Sequence, residues 1–336
     1  MKKFPGSIID IEYHLPEKII DNSYFQEKYP EWRVSEVEKR TGVYERRISA
    51  PNETAYDLAL IATKKLTKKY PDLIGKIDAV IFCTQSPDYV LPSNAFLLQR
   101  DLGIKTEALI FDYNLACSGY LYGLLMASSF IKSGIVKNIL LVTGDTYTKY
   151  LDEKDRATRM LFGDGASATW ISAENQNDIS PLIKSFDDFE FASDGRGWSN
   201  FIIKSGGNRQ PSTCSDQVDF NDKIYMNGLQ VLNLVNDRVI KQIHSLLKKN
   251  QVEVSQINQF LFHQASKLAL DSLEKKLKID NDRLFSNIEF IGNTVSSSIP
   301  ILIKDYFLKV QSEKGNRLLL CGFGVGYSWC SLLATQ

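Results

Sequence analysis

Apolar residues recur along this chain in two periods, one typical of helices and one typical of buried strands. After Thr54, a residue type that caps helices, apolar residues follow at helical spacing up to Leu66, with lysines on the opposite face. Residues 77–82 then form a short apolar run of the kind found in strands buried on both faces. Residues 119–131 predict a buried helix and residues 138–142 predict another buried strand. This alternation predicts an α/β fold built in layers.

The second half of the chain repeats this pattern at a nearly constant distance. The run that begins at Ile257 matches the run at Ile77, 180 residues earlier, and the run at Asn316 matches the run at Asn138, 178 residues earlier. Two unrelated matches would have little reason to share an offset. The sequence therefore predicts an internal duplication of one α/β unit.

The duplication divides the chain into two halves, which we place at residues 1–175 and 176–336. No Pro- or Ser-rich linker separates them, so we expect them to pack together as one unit. Residues 174–221 are polar and contain several glycines. We predict that this region forms loops or hairpins that cross the surface.

The balance of charge limits the partners of the protein. The chain has 40 lysines and arginines and 40 aspartates and glutamates, so no global field attracts nucleic acid or an anionic membrane. The N-terminus lacks the apolar stretch of a secretory signal, and no segment reaches the length of a membrane span. We predict a cytoplasmic protein with neither nucleic acid nor a membrane as a partner.

The cysteines argue against both a disulfide framework and a metal site. They are odd in number and include no C-x-x-C pair. A reducing cytoplasm is consistent with this usage. The five cysteines are Cys83, Cys117, Cys214, Cys321 and Cys330.

Cys117 has the most informative surroundings of the five. An apolar run, residues 108–111, stops shortly before it, and the buried helix pattern begins directly after it. A thiol at a helix N-terminus meets unpaired N–H groups and the positive end of the helix dipole, which favour the thiolate. Cys117 could therefore be a nucleophile, and the alternative is a buried cysteine that serves as a small hydrophobe.

Two polar residues farther along could complete a site with Cys117. His263 directly follows an apolar run of the second half, and Asn293 lies in a turn that corresponds to the Cys117 turn by the repeat offset. Strand ends and helix starts of a duplicated α/β fold can converge on one cleft. Imidazole and carboxamide groups can donate hydrogen bonds to oxygens that become negative during a reaction. A lone histidine is more often structural, and the sequence predicts that His14 lies in a proline-containing loop and His244 on a lysine-rich helix face.

A glycine-rich segment, residues 322–327, precedes the C-terminus. It could be read as a dinucleotide fingerprint, but the last glycine and a following βαβ unit are missing, which excludes that interpretation. A plain tight turn remains open as the alternative to a functional loop.

Four motifs in this order make the chain resemble the ketoacyl-acyl-carrier-protein synthase III family. They are Ala116–Gly119, His263–Ser266, Gly292–Pro300 and Gly322–Trp329. Further matches are Thr41–Ile48, Pro51–Thr54 and Phe162–Ala166, so the resemblance extends over nearly the whole chain. It implies a thiolase-like fold, with duplicated α/β halves in a five-layer αβαβα arrangement, and a homodimer.

The resemblance also implies roles for the candidate site residues. Cys117 would take the acyl group of an acyl-CoA, with the backbone N–H groups of Cys117 and Val325 as the oxyanion hole. His263 and Asn293 would stabilise the enolate formed when a malonyl thioester on acyl carrier protein loses CO2. No cofactor and no metal are implied.

Further residues match substrate-binding positions of the family. Trp32 and Arg156 match the residues at the mouth of the CoA tunnel. Lys275 and Lys276 match a basic patch that meets the acidic carrier protein. Leu91 matches a position that lines the acyl pocket from the partner subunit.

The chain departs from the family pattern at three positions, and other functions compete. Ser266 replaces an asparagine, Val325 a frequent glycine, and Leu268 an arginine.

One alternative is an acyltransferase in which His263, as a general base, helps an oxygen or nitrogen nucleophile to collect the acyl group. Another is a non-catalytic subunit, which the intact set of Cys117, His263 and Asn293 argues against.

Overall fold

The computed structural model describes residues 3–174, 176, 179–211, 222–310 and 314–336, so Cys214 lies outside the described residues. The strands are β1 (Ser7–His14), β2 (Lys18–Asp21), β3 (Glu45–Ile48), β4 (Ala79–Cys83), β5 (Leu109–Tyr113), β6 (Asn138–Asp145), β7 (Gly165–Ser172), β8 (Ser185–Ser193), β9 (Phe201–Ile202), β10 (Tyr225–Met226), β11 (Gln259–Phe262), β12 (Arg317–Gly324) and β13 (Ser328–Thr335). The helices are α1 (Asn22–Lys28), α2 (Val34–Thr41), α3 (Ala55–Lys69), α4 (Leu73–Lys76), α5 (Asn94–Leu102), α6 (Gly119–Lys132), α7 (Arg156–Arg159), α8 (Gly228–Leu234), α9 (Ile240–Lys249), α10 (Lys267–Leu277), α11 (Ile288–Ile291) and α12 (Ser298–Lys309).

Two larger sheets contain most of the described strands. The first has the order β1-β7-β6-β4-β5, with β4 parallel to both β5 and β6. The second has the order β11-β12-β13-β8, with β11 parallel to β12. The proposed division at residues 175 and 176 falls between β7, the last strand of the first sheet, and β8; residue 175 itself is not described.

Helices separate and cover the two sheets. The central helices α6 and α12 contribute Leu121, Leu124 and Leu302 to one buried cluster, which also contains Leu141 of the first sheet and Leu320 of the second. Helices α3 and α5 cover the other face of the first sheet, and α9 and α10 cover the other face of the second. The layers therefore run α, β, α, β, α, which confirms the five-layer prediction.

The same strand pairing occurs in both large sheets, as the predicted duplication requires. In the first sheet Ala79 pairs with Ile139, and in the second Gln259 pairs with Leu318, both in parallel registers. The members of the two pairs are separated by 180 and 179 residues (259 − 79 and 318 − 139), within one residue of the offsets read from the sequence. The duplicated halves predicted from the apolar runs are therefore confirmed as two copies of one strand arrangement.

The helix predicted after Thr54 is α3. The side chain of Thr54 accepts a hydrogen bond from the N–H of Asp57, and the Asp57 carboxylate accepts one from the N–H of Thr54. This reciprocal capping box satisfies two N–H groups that a helix start otherwise leaves unpaired. The helix begins at Ala55, as the residue pattern predicted.

The prediction of surface loops throughout residues 174–221 is wrong for β8. Phe186 and Phe189 of β8 are buried in the central cluster. Asp187 and Asp188 hid this strand in the sequence, but each carboxylate has partners: Thr335 donates to Asp187, and Lys249 forms an ion pair with Asp188. Buried carboxylates with such partners do not break a strand.

A buried ion cluster fixes β1 to the central helix α12. The Nζ of Lys304 donates to Asp10 and to Glu12, each at 2.9 Å, and both Lys304 and Asp10 are buried. Lys69 of α3 forms an ion pair with the same Asp10 carboxylate, and the hydroxyl of Tyr70 donates to it. Three elements of the fold therefore meet at one carboxylate.

No helix in the described part of the chain is both long enough and apolar enough to cross a membrane.

Candidate active site

Cys117 lies between β5 and α6, two residues before the helix begins. Only 5% of it is exposed, and it packs in an apolar cluster that includes Tyr147, Phe162 and Val295. Burial raises the pKa of the Cys117 thiol, and the nearby Asp145 carboxylate raises this pKa further. Burial therefore opposes the thiolate that the helix N-terminus favours in the substrate-free chain.

The glycine-rich segment packs directly against Cys117. Gly322 and Gly324 lie in β12, and the chain then turns at residues 325–327 into β13. A Cβ atom at Gly324 would lie 3.0 Å from both Cβ and Sγ of Cys117, and one at Gly322 would lie 2.6 Å from the carbonyl oxygen of Cys117. A Cβ atom at Gly322 would therefore clash with the backbone, and one at Gly324 would require the Cys117 side chain to shift.

His263 follows β11 and is 1% exposed. Its N–H donates to the carbonyl of Cys321 at 2.8 Å, and its ring meets the ring of Phe323 edge to face at 5.7 Å. Burial lowers the pKa of His263 to about 3, so the imidazole is neutral near pH 7. Its buried Nδ1 has no hydrogen-bond partner among the described residues, which favours the tautomer that carries the proton on Nε2.

Asn293 follows α11 and is held by its backbone and by its side chain. Its N–H donates to Leu161, and its carbonyl accepts from Gly163. The side-chain Oδ1 accepts from the N–H of Val295 at 2.9 Å, whereas Nδ2 is 3.4 Å from the carbonyl of Ala265. The second contact is long for a hydrogen bond, so the amide nitrogen can still donate to a ligand.

Contacts connect the three candidate residues around one strand end. Cys117 packs against Gly324, and the neighbouring Phe323 contacts the ring of His263. The side-chain nitrogen of Asn293 lies 3.4 Å from the carbonyl oxygen of Ala265, two residues after His263. The structure therefore brings a thiol of the first half together with a neutral imidazole and a carboxamide of the second half.

Asp145 is a buried group that the sequence analysis missed. It ends β6, is fully buried, and accepts hydrogen bonds from the N–H of Gln85 at 2.8 Å and from the N–H and hydroxyl of Ser296 at 3.2 and 2.5 Å. Burial raises the pKa of Asp145 to about 7. Its position at the end of a buried strand was the signal in the sequence, by the same reasoning that selected His263.

Two cavities lie beside the Cys117 cluster. One, of about 350 Å³, is lined by residues that include Arg156, Leu161 and Ala265. The other, of about 250 Å³, is lined by Tyr147, Val325 and further residues. Leu161 and Tyr147 belong to the same apolar cluster as Cys117, so this cluster borders both cavities, which share no lining residue among those described.

Of the two residues predicted to bind CoA, Arg156 lines the larger cavity and Trp32 does not. Arg156 is exposed and lines the larger cavity together with Leu268. Trp32 does not line it: this residue is buried and its ring stacks on Tyr29 at 4.1 Å and on Phe25 at 5.9 Å. The ring of Trp32 is thus packed within the protein and is not presented to adenine.

The remaining predicted residues are at the surface. Lys275 and Lys276 are exposed in the last turn of α10. Leu91 is 80% exposed, next to Val90 at 98% and Tyr89 at 59%. Large apolar side chains exposed in sequence on one segment are typical of a contact surface.

The described residues contain no group of three or more His, Cys, Asp or Glu side chains that could hold a metal ion.

The five-layer fold with its two duplicated halves is that of the thiolase-like condensing enzymes. Family models of 3-oxoacyl-[acyl-carrier-protein] synthase III match residues 111–195, and those of its C-terminal part match residues 247–335. The chain belongs to this family.

Named relatives and solved structures extend over almost all of the chain. A beta-ketoacyl-[acyl-carrier-protein] synthase III of Campylobacter curvus is 34% identical over 98% of this chain and 96% of its own length. The corresponding protein of Chlamydia caviae is 32% identical over 96% of this chain and 94% of its own length. A crystal structure of a 3-oxoacyl-(acyl-carrier-protein) synthase III superposes with a TM-score of 0.92 at 40% identity, covering 99% of this chain and 100% of that one. A synthase from Burkholderia xenovorans gives a TM-score of 0.89 at 34% identity, covering 100% of this chain and 95% of that one.

Proposed function

We propose that this protein joins an acyl group from acyl-CoA to a malonyl thioester on acyl carrier protein by decarboxylative Claisen condensation, with Cys117 as the acyl carrier. The observation that carries the proposal is the contact of Cys117 with the Gly324 strand end, next to which a neutral His263 lies. This arrangement offers one nucleophile and separate donors for a developing negative charge.

The first half-reaction transfers the acyl group to Cys117. The Sγ attacks the thioester carbonyl carbon, the bond from this carbon to the CoA sulfur breaks, and the CoA sulfur leaves with the proton that Cys117 gives up. The N–H groups of Cys117 and Val325 donate to no carbonyl among the described residues, so both remain available for the oxyanion. Burial raises the pKa of the Cys117 thiol, which opposes formation of the thiolate before the thioester is attacked.

The second half-reaction uses His263 and Asn293. The bond between the malonyl C2 and its carboxylate breaks, CO2 leaves, and the electron pair forms an enolate whose oxygen accepts hydrogen bonds from Nε2 of His263 and Nδ2 of Asn293. The enolate carbon attacks the acyl carbonyl, the bond to Sγ breaks, and the departing Cys117 thiolate takes up a proton from solvent. A neutral imidazole suits this role when its proton is on Nε2, because that N–H can donate a hydrogen bond to the enolate oxygen.

The same property argues against the acyltransferase alternative. A general base works best when its pKa is near the working pH. The pKa of His263, lowered to about 3 by burial, makes it a weak proton acceptor for an alcohol or amine.

Substrate binding follows from the surface features. Arg156, at the mouth of the larger cavity, is proposed to meet the CoA phosphates, and Lys275 and Lys276 the acidic carrier protein. The geometry gives no support for the adenine-stacking role of Trp32, whose ring is already packed on Tyr29.

We further propose a homodimer built on the edge of the first sheet. Strand β5 ends that sheet, and edge strands present unpaired N–H and C=O groups to a partner. The exposed segment with Leu91 would then be covered by the second copy. A cytoplasmic location stays a prediction of the sequence.

One assay tests the proposed reaction. The protein is incubated with acetyl-CoA, the mass of the Cys117 peptide is followed, and malonyl-acyl carrier protein is then added while CO2 is measured. We expect an acetyl adduct on Cys117 and then CO2 together with a 3-oxoacyl product. An adduct without release of CO2 would contradict condensation, and the Cys117→Ala variant is the control that should form no adduct.

A further inference from the structure

The smaller cavity beside Cys117 has walls of two chemical kinds. One wall is apolar and the other carries an amide, a second amide and a phenol. The apolar residues are Phe201, Ile202, Ile203 and Ile224, and the polar residues are Gln85, Asn114 and Tyr147. Val325, whose N–H is proposed for the oxyanion hole, also lines this cavity.

The position of this cavity makes it the space for the acyl group. The apolar cluster that contains Cys117 borders both cavities, through Leu161 on one side and Tyr147 on the other, and the larger cavity is lined by Arg156, whose charge suits the CoA phosphates. A thioester that enters from the Arg156 side and reaches Cys117 therefore directs its acyl chain toward Tyr147 and Val325. This step rests on the proposed function.

The polar residues of this wall hydrogen-bond to one another and still have donors and acceptors without a partner among the described residues. The Tyr147 hydroxyl donates to Oε1 of Gln85, and Nε2 of Gln85 donates to Oδ1 of Asn114 at 2.8 Å. The second N–H of Gln85 and both N–H groups of Asn114 have no acceptor among the described residues. The phenol oxygen of Tyr147 also keeps a lone pair that can accept a hydrogen bond.

An alkyl chain would suit only half of this cavity. It would displace water from the amide and phenol groups without replacing their hydrogen bonds, which costs free energy. A chain with an oxygen would satisfy them. None of the described lining residues is Lys, Arg or His, so no cation is present to pair with a carboxylate. The buried Asp145 carboxyl, which accepts a hydrogen bond from the backbone N–H of Gln85, would also repel a second carboxylate. A neutral oxygen therefore fits this cavity better than a carboxylate.

We propose that the Gln85, Asn114 and Tyr147 wall selects acyl primers that carry a neutral hydroxyl or oxo group on the third carbon. The polar groups meet the chain within its first few carbons, because Tyr147 packs in the same cluster as Cys117. Gln85 and Tyr147 are then the specificity-determining residues of this chain.

A pair of primers of nearly equal shape tests the proposal. The rate of Cys117 acylation is measured by mass with 3-hydroxybutyryl-CoA and with 3-methylbutyryl-CoA, which differ by a hydroxyl in place of a methyl group. We expect the hydroxyl primer to have a kcat/KM about tenfold higher, as a neutral hydrogen bond allows. An equal or higher kcat/KM for 3-methylbutyryl-CoA would overturn the proposal.

Variants assign the preference to the wall. Gln85→Leu and Tyr147→Phe should each reduce the hydroxyl-to-methyl ratio to near one, mainly by slowing the hydroxyl primer. Ile203→Val on the apolar wall is the control and should change both primers in the same direction. An unchanged ratio in both polar variants, with their thermal unfolding close to that of the parent, would also overturn the proposal.

Acetyl-CoA separates failure of this inference from failure of the proposed function. If acetyl-CoA supports adduct formation and CO2 release while the hydroxyl primer shows no advantage, only the inference fails. If no primer acylates Cys117, the proposed function fails as well.

Discussion

Gly324 lies so close to Cys117 that a single added methyl group would stand 3.0 Å from both Cβ and Sγ of the cysteine. Contacts of 3.0 Å between carbon atoms are well inside the distance of optimal packing. The two residues belong to different halves of the duplicated fold. The position of the nucleophile is therefore set partly by a strand that lies 207 residues away in sequence.

This contact leads to a first prediction, for Gly324→Ala. The new Cβ should displace the Cys117 side chain and reduce the rate of acylation by about 100-fold, because misplacement by roughly 1 Å can cost that much. The rate of adduct formation with acetyl-CoA measures the effect. Gly75→Ala is the matched control, since a Cβ at Gly75 would meet no described atom within 4 Å. Equal rates in the two variants would contradict the role of the contact.

Asn293 provides a second prediction, based on its two polar atoms. Asn293→Ala should form the acyl adduct on Cys117 but lose condensation by about 100-fold or more, as removal of a donor from an oxyanion site does. Asn293→Asp keeps an acceptor for the N–H of Val295 but lacks the amide donor. Acylation and CO2 release are measured separately for both. Normal condensation by Asn293→Asp would exclude the enolate role.

His263 gives a third prediction, on the pH dependence of stability. Its pKa is about 3 in the folded chain and about 6.5 in an unfolded one, so the unfolded state binds a proton first as the pH falls. The stability that His263 contributes is thus present above about pH 6.5 and is lost progressively as the pH falls toward about 3.

The variant His263→Gln tests this linkage. Its free energy of unfolding should fall less steeply over that range than the parent's, by up to about 1.4 kcal/mol per pH unit. Urea unfolding at several pH values supplies both slopes. Parallel slopes would mean that His263 takes up a proton in the folded chain.

A fourth prediction concerns Arg156. Arg156→Ala should raise the KM for acetyl-CoA about fivefold with a small change in kcat, because an exposed guanidinium binds phosphate without taking part in the chemistry. The effect should shrink at high salt. Arg159→Ala is the control, because Arg159 lines a different cavity. Acetyl-pantetheine, which lacks the nucleotide, should show no difference between Arg156→Ala and the parent.

The buried ion cluster gives a fifth prediction. Lys304→Met should reduce the free energy of unfolding by about 3 kcal/mol, since removing one partner of a buried ion pair leaves an uncompensated charge. The comparison is Lys69→Met, whose side chain is 50% exposed and pairs with the same Asp10. That change should cost about 1 kcal/mol or less. Urea unfolding measures both, and equal losses would contradict the difference in burial.

The sequence predicted the parts of this fold that are encoded locally. The capped helix after Thr54 and the apolar runs at Ile77 and Asn138 appear where the pattern put them, and the repeat offset predicted the paired halves. These features rest on periodicity within a few residues, which a single sequence displays directly.

Features that depend on tertiary contacts were not predictable in the same way. Strand β8 looked polar because it contains Asp187 and Asp188. The residue that compensates the charge of Asp188, Lys249, lies far along the chain and could not be recognised as its partner. Burial raises the pKa of Cys117 against the effect of the helix N-terminus, and the ring of Trp32 stacks on Tyr29 and does not line the larger cavity. The sequence proposed Cys117, His263 and Asn293 as one site, but only the packing revealed why Gly324 must lack a side chain.

The two cavities beside Cys117 have no described lining residue in common. For an engineer, this makes the protein modular at its reactive centre. A library at Phe201, Ile202 and Ile224 can change which acyl groups fit the smaller cavity. The larger cavity, which is proposed to bind CoA, would stay unchanged. The products of such a library would then differ at one end of the molecule only, which makes this scaffold a starting point for tailored chain initiation.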